Sequence, residues 1–480
     1  MIIKIKGLVR TNPNSKFSLY FLQERSRKSK STFCIQCIFS DLNLLMQKLE
    51  IRSFIFFCLI LFAGAIVQPL KGGGKSDTLS STGLTVVRYD SLSAVIKSYI
   101  DESSGKYFQD PVVPRFLIKD RKDSFIFGIG GYVAAHGYYD HNNVEGPYFM
   151  VGSIPVGTNR INPNYFDLSM AQTRLSFKVI GVTNAGVINA YVETDFMGSG
   201  TTLRLRHAYI EFLGIKVGKG WSTYMDDESI NTIDPEGPLS LSTRLLPLIS
   251  FSNKFGDHLK LGVALEFPQD VTVTFPGALT PSGNTESHQA LQSYPDIPLS
   301  IIYNKNNWHL YFGYNQRIMK FSELGKVFNP HYTYSAQISG NYTFETGEEY
   351  THKIYGQVLH TYGMADCIQD LGSMGYNAVV SSDLSSIKLI HNTAAHLGYH
   401  FAFKGKNQIN FAYSYMKQWD LDSLGYDNLY DQGHYAVLNY MREFLQYGTF
   451  GVEGLWGMKQ NNNGARGYNF RINLYLRYDF

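Results

Sequence analysis

The densest set of charged side chains able to act together lies between residues 172 and 206. Gln172, Arg174, Ser176 and Lys178 alternate with apolar residues, so on an extended strand they share one face. Asn189, Glu193 and Asp195 follow with the same spacing, and Arg204 and Arg206 come next. Basic groups facing acidic ones across water would set up a transverse field that orients anionic or zwitterionic solutes. The alternative is a mutually neutralised polar wall without selectivity. A second charged set sits in the segment 223–247, which holds Asp226, Asp227, Glu228, Asp234 and Glu236 together with the stiffening Pro235, Pro238 and Pro247. Folded inward it would narrow a bore opposite the arginines; folded outward it would be a solvated surface loop.

The residues that could do covalent or metal chemistry do not assemble. Of His391, His396 and His400, only His396 and His400 share a strand face, about 13 Å apart at the usual rise and too far for one ion. There is no GxSxG, HExxH or phosphate-cradling glycine loop. Cys34 and Cys37 form a single CxxC with no partner motif, and Cys367 is the only thiol beyond residue 65. No catalytic residue, cofactor or metal is therefore expected. Residues 1–65 carry ten Lys or Arg against three Asp or Glu, a balance of +7 within an overall +3, so the rest of the chain carries −4. The basic excess belongs to the beginning of the chain and gives no reason to expect a nucleic-acid partner.

The elements that would position these charges are strands. From Ser124 onward the dominant pattern has period two. In the final segment Phe470, Ile472, Leu474, Leu476, Tyr478 and Phe480 fall on one face, and Asn469, Arg471, Asn473, Tyr475, Arg477 and Asp479 on the other. Two arginines alternating with large apolar residues suit a strand with lipid outside and water inside. Leu397, Tyr399, Phe401 and Phe403 oppose His396 and His400 in the same way, as Phe450, Val452 and Trp456 oppose Glu453 and Lys459. Around Arg204–Glu211 the charged residues switch parity, which predicts a bulge or a protein-facing stretch.

About sixteen such segments can be counted, joined alternately by tight turns (near 181–186, 253–258, 304–307, 345–349, 404–407 and 445–448) and mostly long loops (140–167, 223–247, 269–295 and 362–390). The fold expected is all-β, a transmembrane antiparallel β-barrel of about 16 strands, since a closed ring leaves no lipid-exposed backbone group unpaired. A barrel of that size holds water rather than a plug of side chains. The alternating strand that ends in Tyr478 and Phe480 reads as the signal taken up by outer-membrane insertion machinery.

Ser53–Ala65 is a short apolar run preceded by Lys48 and Arg52 and closed by Ala63-Gly64-Ala65, a secretory signal with cleavage expected after Ala65. A charged region normally begins such a signal, so Met46 is the expected start and residues 1–45 an over-extension. The domains expected are thus a leader (1–65), a periplasmic lead-in (66–123) with a short helix from Ser91, and the barrel (124–480).

The run Leu203–Tyr209 (LRLRHAY), the preceding Tyr191–Phe196 (YVETDF) and the following Gly218 with Trp221-Ser222-Thr223 resemble the DcaP-like outer-membrane porins, relatives of the phosphate-selective porins. These motifs cover the first third of the barrel. The resemblance implies a homotrimer that takes up small, preferentially anionic, organic solutes, with Arg174, Arg204 and Arg206 as pore-lining cations. Members of that family can carry an N-terminal periplasmic coiled coil, and residues 66–123 show no such heptads. The function expected is passive diffusion across the bacterial outer membrane, whose lipid would surround the barrel. The alternative is a barrel acting as a surface binding or attachment protein; an enzyme is not expected.

Overall fold

The computed structural model describes residues 84–87, 97 and 108–480, apart from 112–113, 115, 121, 123, 143–145, 158–163, 227, 229–231, 270, 280–284, 290–293, 321, 324–325, 328–329, 373, 381–385, 405, 422–427 and 445. The chain divides into two units, Met1–Asp77 and Thr78–Phe480, and all described residues belong to the second. The expected leader, its signal run and the helix from Ser91 lie outside the described residues.

Alternating polarity drives the described chain into strands, and the strands close on themselves. The wall is built in chain order from β1 (Phe125–Asp140), β2 (Arg174–Thr183), β3 (Gly186–Asp195), β4 (Arg204–Phe212), β5 (Ile215–Trp221), β6 (Leu245–Phe255), β7 (Leu259–Glu266) and β8 (Ile297–Lys305). It continues with β9 (Trp308–Met319), β10 (His331–Glu345), β11 (Tyr350–Tyr362), β12 (His391–Phe403), β13 (Asn407–Trp419), β14 (Tyr430–Phe444), β15 (Gly448–Asn461) and β16 (Arg466–Asp479). Each pairs antiparallel with its neighbours in sequence, and β16 returns to β1 in a register running from Arg471↔Asp140 to Asp479↔Tyr132. The result is a closed sixteen-stranded antiparallel barrel. A short strand, Tyr165–Ser169, prolongs β2 against the upper part of β1. Gly131, in the left-handed region at φ 146°, lets β1 approach β2 closely, because a Cβ there would lie 2.2 Å from the Arg174 carbonyl.

Short turns join the strands at one end and longer connections at the other, the asymmetry of outer-membrane barrels between periplasm and exterior. Three of the longer connections matter below: L1 (141–164) after β1, L3 (222–244) after β5 and L6 (363–390) after β11. Within the connections after β7 and β11, Thr272–Leu279, Thr285–Gln289, Ala378–Val380 and Ile387–Leu389 form a small sheet of their own. At the turn end Phe116–Asp120 pairs with the base of β1, and Leu84–Val87 pairs with Phe116–Asp120.

The two faces separate by chemistry. On β16, Phe470, Ile472, Leu474, Leu476 and Tyr478 are exposed while Asn469, Arg471, Asn473, Arg477 and Asp479 are buried inside. The same split runs through β12, where Leu397 faces out and His396 and His400 face in. An apolar outer band wrapped around a polar interior is the surface a bilayer requires. Leu474→Arg, near the middle of the outer face, is therefore expected to cost about 2–4 kcal/mol, while Asn473→Ser on the inner face costs far less. Equilibrium unfolding of the two variants from lipid vesicles checks this, and equal costs would contradict the assignment of faces.

Candidate functional site: the barrel lumen

Adjacent-strand register brings the first charged set together. Arg174 on β2 lies 3.4 Å from Glu193 on β3, Arg206 on β4 donates to Glu193 at 2.7 Å, and Arg204 binds Asp195 at 2.7 Å. All but Arg204 are buried. The register shifts between Glu193 and Thr194, so β4 bulges and both Arg206 and His207 turn inward, the source of the parity switch in the sequence. Lys178 sits over the Tyr191 ring at 5.9 Å. The acids thus stand between the arginines, side by side, and do not face them across the bore. Partners on neighbouring strands are far closer than the opposite wall, so the ion pairs formed here are lateral ones.

Asp110, Glu193 and His207 bring ligand atoms within 4.8 Å of one another. Arg174 reaches both carboxylates and Arg206 holds Glu193, so two guanidinium groups already supply the cationic charge there. The donor set fits an ion-pair network better than a metal.

L3 crosses the lumen. It leaves β5 and is held first by β9 and β10: the Tyr311 hydroxyl donates to the Thr223 carbonyl at 2.8 Å, Tyr224 shares a hydrogen bond with Ser335 at 2.6 Å, and Asp226 meets His309 at 2.9 Å and accepts from the Ser339 hydroxyl. The Lys353 ammonium on β11 donates to the Glu228 carbonyl. Farther along, the loop reaches the opposite wall. The amides of Ile233 and Asp234 donate to the Glu453 carboxylate on β15 at 2.8 and 2.7 Å, and the Leu239 amide donates to Ser414 on β13 at 3.0 Å. Ser240 then meets His396 on β12 at 2.6 Å.

The acids of L3 are taken up by partners on the wall and on the other loops. Asp226 is spent on His309 and Ser339, and Asp234 accepts from the Phe149 amide (3.3 Å) and the Tyr435 hydroxyl (3.2 Å). Neither contacts Arg174, Arg204 or Arg206 in an ion pair. Asp227 lies outside the described residues. Glu236 accepts from the Gln369 amide of L6. Burial pushes its carboxyl up, the Gln369 bond pulls it back, Asp370 raises it and Arg204 lowers it, leaving it at about 7. A carboxyl raised in the docked loop favours docking fully below the ordinary value of 4.5, and that contribution is lost as pH rises through about 7. Conductance is accordingly expected to rise between pH 5 and pH 8, and Glu236→Gln is expected to flatten that rise; bilayer recordings of both proteins across this range check it.

Sequence reasoning missed a second network. Arg317 on β9, fully buried, binds Asp296 at 2.8 Å and Asp366 of L6 at 2.7 Å, and Arg244 at the end of L3 reaches the same two acids at 3.3 and 3.1 Å. Burial alone would raise the Asp366 carboxyl, but Arg317 and Arg244 outweigh it and hold it at about 2. Alternation along β9 placed Arg317 inward with Asn315, whereas Asp296 and Asp366 lie outside the wall strands and left no periodic signal.

L1 and L6 also fold inward. Phe149, Val151 and Ile154 pack with Leu239 of L3 and with Ile368, Leu371 and Tyr376 of L6 against the inner face of β11–β15. At the turn end, cavities of about 690 Å³ beside Glu228 and His309 and about 280 Å³ beside Arg442 and Arg477 remain. At the loop end another of about 280 Å³ is lined by Lys219, Arg244 and Asp366.

No protein-family model matches the chain, and no curated protein sequence matches it. Among solved structures, the outer membrane channel DcaP of Acinetobacter baumannii superposes with a TM-score of 0.63 at 16% identity, covering 75% of this chain and 99% of the other. An anion-selective porin from Comamonas acidovorans matches at a TM-score of 0.48 and 12% identity, covering 74% of this chain and 100% of its own. In fold, this chain is similar to the DcaP outer-membrane channel: a closed sixteen-stranded barrel of the bacterial outer-membrane type.

Proposed function

We propose that this protein is a passive porin that admits small, preferentially anionic, organic solutes, with L3 as its constriction. The observation that carries the reading is the course of L3, anchored to β9–β11 near its start and to β12–β15 near its end, inside a wall whose inner face is polar. A loop bridging a water-lined barrel narrows it without sealing it, which is how a pore gains selectivity. The wall strands point Arg174, Lys178, Arg206, Arg317, Lys353, Lys459, Arg471 and Arg477 inward, against Asp140, Glu193, Asp195, Glu266, Glu453 and Asp479. Anion preference is supported by Arg204, whose side chain stays 38% exposed while its partner Asp195 is fully buried, so that a passing solute meets the cation. Reconstitution into planar bilayers tests the reading: stepwise conductance with a reversal potential of anionic sign in a salt gradient supports it. A folded barrel that passes no current would favour surface attachment instead.

The same reading extends to assembly. From β1 to β5, Tyr139 is the single strongly exposed Tyr or Trp among the described residues, and the outer wall there is Val133, Ile188, Ile210, Ile215 and Val217. From β8 onward the outside carries Trp308, Tyr332, Tyr350, Tyr399, Tyr413, Trp419, Trp456 and Tyr478. Aromatic girdles mark walls that meet the lipid interface. A wall poor in exposed Tyr and Trp, on which Phe125 and Phe166 are the other strongly exposed rings among the described residues, fits contact between protomers, which supports a homotrimer; native mass spectrometry from detergent reads the stoichiometry. Tyr478 and Phe480 serve, on this reading, as the insertion signal, the latter with its amide donating to the Gly131 carbonyl at 3.0 Å.

A further inference from the structure

The residues just ahead of the barrel do not stay beneath it. Phe108, Gln109 and Asp110 lie among inward-facing side chains of the seam strands. The Gln109 carbonyl accepts from the Tyr132 hydroxyl on β1 at 2.9 Å and from the Arg174 guanidinium on β2. Arg477 on β16 donates to the Phe108 carbonyl at 2.6 Å and to the Asp110 carbonyl at 3.1 Å. The Asp110 carboxylate lies 3.6 Å from Arg174. The Phe108 ring packs on Tyr475, with centroids 5.7 Å apart, in a cluster with Tyr132, Met441 and Ile233. Gln109 also touches the proposed constriction: its side-chain amide donates to the Ile233 carbonyl of L3 at 2.9 Å.

We propose that Phe108–Asp110 is an internal plug, a piece of the chain preceding β1 that is clamped inside the turn end of the lumen, braces L3 and restricts flow. The proposal rests on the pore reading above. Three features distinguish a plug from a strap that only closes the seam. First, it accepts hydrogen bonds from three strands, β16, β1 and β2, and donates one to L3, so it lies inside the wall rather than in its plane. Second, it forms one side of the turn-end cavity shared with Met441, Arg442 and Arg477. Third, the exit path is shaped for it. Pro114 packs over Gly128 and Gly130 of β1, where a Cβ at either position would meet it at 3.0 Å, and the chain then joins the wall as Phe116–Asp120. Most of the clamp grips main-chain carbonyls, while Phe108, Gln109 and Asp110 each add one side-chain anchor. Removing those three anchors weakens the seat while leaving every wall residue in place.

The test compares single-channel conductance of the full chain with that of F108G/Q109G/D110G in planar bilayers. The variant is expected to conduct about twofold more or better, with fewer brief closures. Equal conductance in the two proteins overturns the plug and leaves the porin reading standing, whereas no current from either, both folded, overturns both. Should the triple variant not fold, F108A, which removes the ring's packing in the Tyr475 cluster and beneath the Arg477 guanidinium (5.8 Å) but keeps the main-chain clamp, is expected to shift conductance in the same direction; unchanged F108A conductance overturns the plug.

Discussion

Glu453→Ala will raise single-channel conductance about twofold or more and destabilise the barrel by roughly 3–6 kcal/mol. Glu453 is buried on β15 and accepts four hydrogen bonds: the amides of Ile233 and Asp234 from L3, and the side chains of Asn439 and Asn473 from the neighbouring strands. The two L3 bonds are the loop's strongest hold on the far wall, since a hydrogen bond to a charged acceptor is worth about 1.5–3 kcal/mol. Alanine removes both and also strands two wall asparagines. The loop then keeps its attachment through Asp226 and His309 and swings from that side. Recordings and unfolding from vesicles, run on the same preparation, read the two effects together. Lost stability with unchanged conductance would mean that L3 does not narrow the pore.

The second large effect concerns the charges around Glu193. Because Arg174 and Arg206 share Glu193, and Arg204 and Arg206 share Asp195, neutralising one sign exposes the other. E193Q/D195N is expected to move the reversal potential toward the anion limit, with the anion-to-cation permeability ratio rising about twofold or more. R174Q/R204Q/R206Q is expected to move it toward cations, because two carboxylates are left uncompensated. Each one-sided change should also cost about 3–5 kcal/mol, the usual penalty for breaking a buried pair from one side. Measurement in a salt gradient checks the sign, and a reversal potential unmoved by either variant would remove this cluster from the solute path.

How much of this was legible beforehand follows from where each contact is made. Lipid outside and water inside impose period two on every wall strand, so the strands, their faces and the alternation of turns and loops could be read directly. The juxtaposition of Arg174, Glu193 and Arg206 was readable for the same reason, since sheet register is local, and even the bulge at β4 announced itself by a switch of parity. Length and proline content singled out L3, but nothing in its sequence indicates that Asp226 would meet His309 or that Glu453 would hold Ile233 and Asp234. Those contacts span the lumen between residues 83 and 220 positions apart and depend on loop conformation. Asp296 and Asp366 were invisible for the same reason. The segment Phe108–Asp110 gave no hint of entering the barrel, because its seat is formed mainly by its own carbonyl groups, which every sequence carries.

Swelling of proteoliposomes tests the central claim most directly. Vesicles carrying the folded protein, diluted into isotonic solutions of small organic anions and of neutral solutes of graded size, need no energy source to reveal a pore. A water-filled barrel narrowed by L3 predicts swelling that slows steeply with solute size and is faster for the anions than for neutral solutes of equal size. Vesicles that hold correctly folded barrels yet stay impermeable even to the smallest solutes would contradict it.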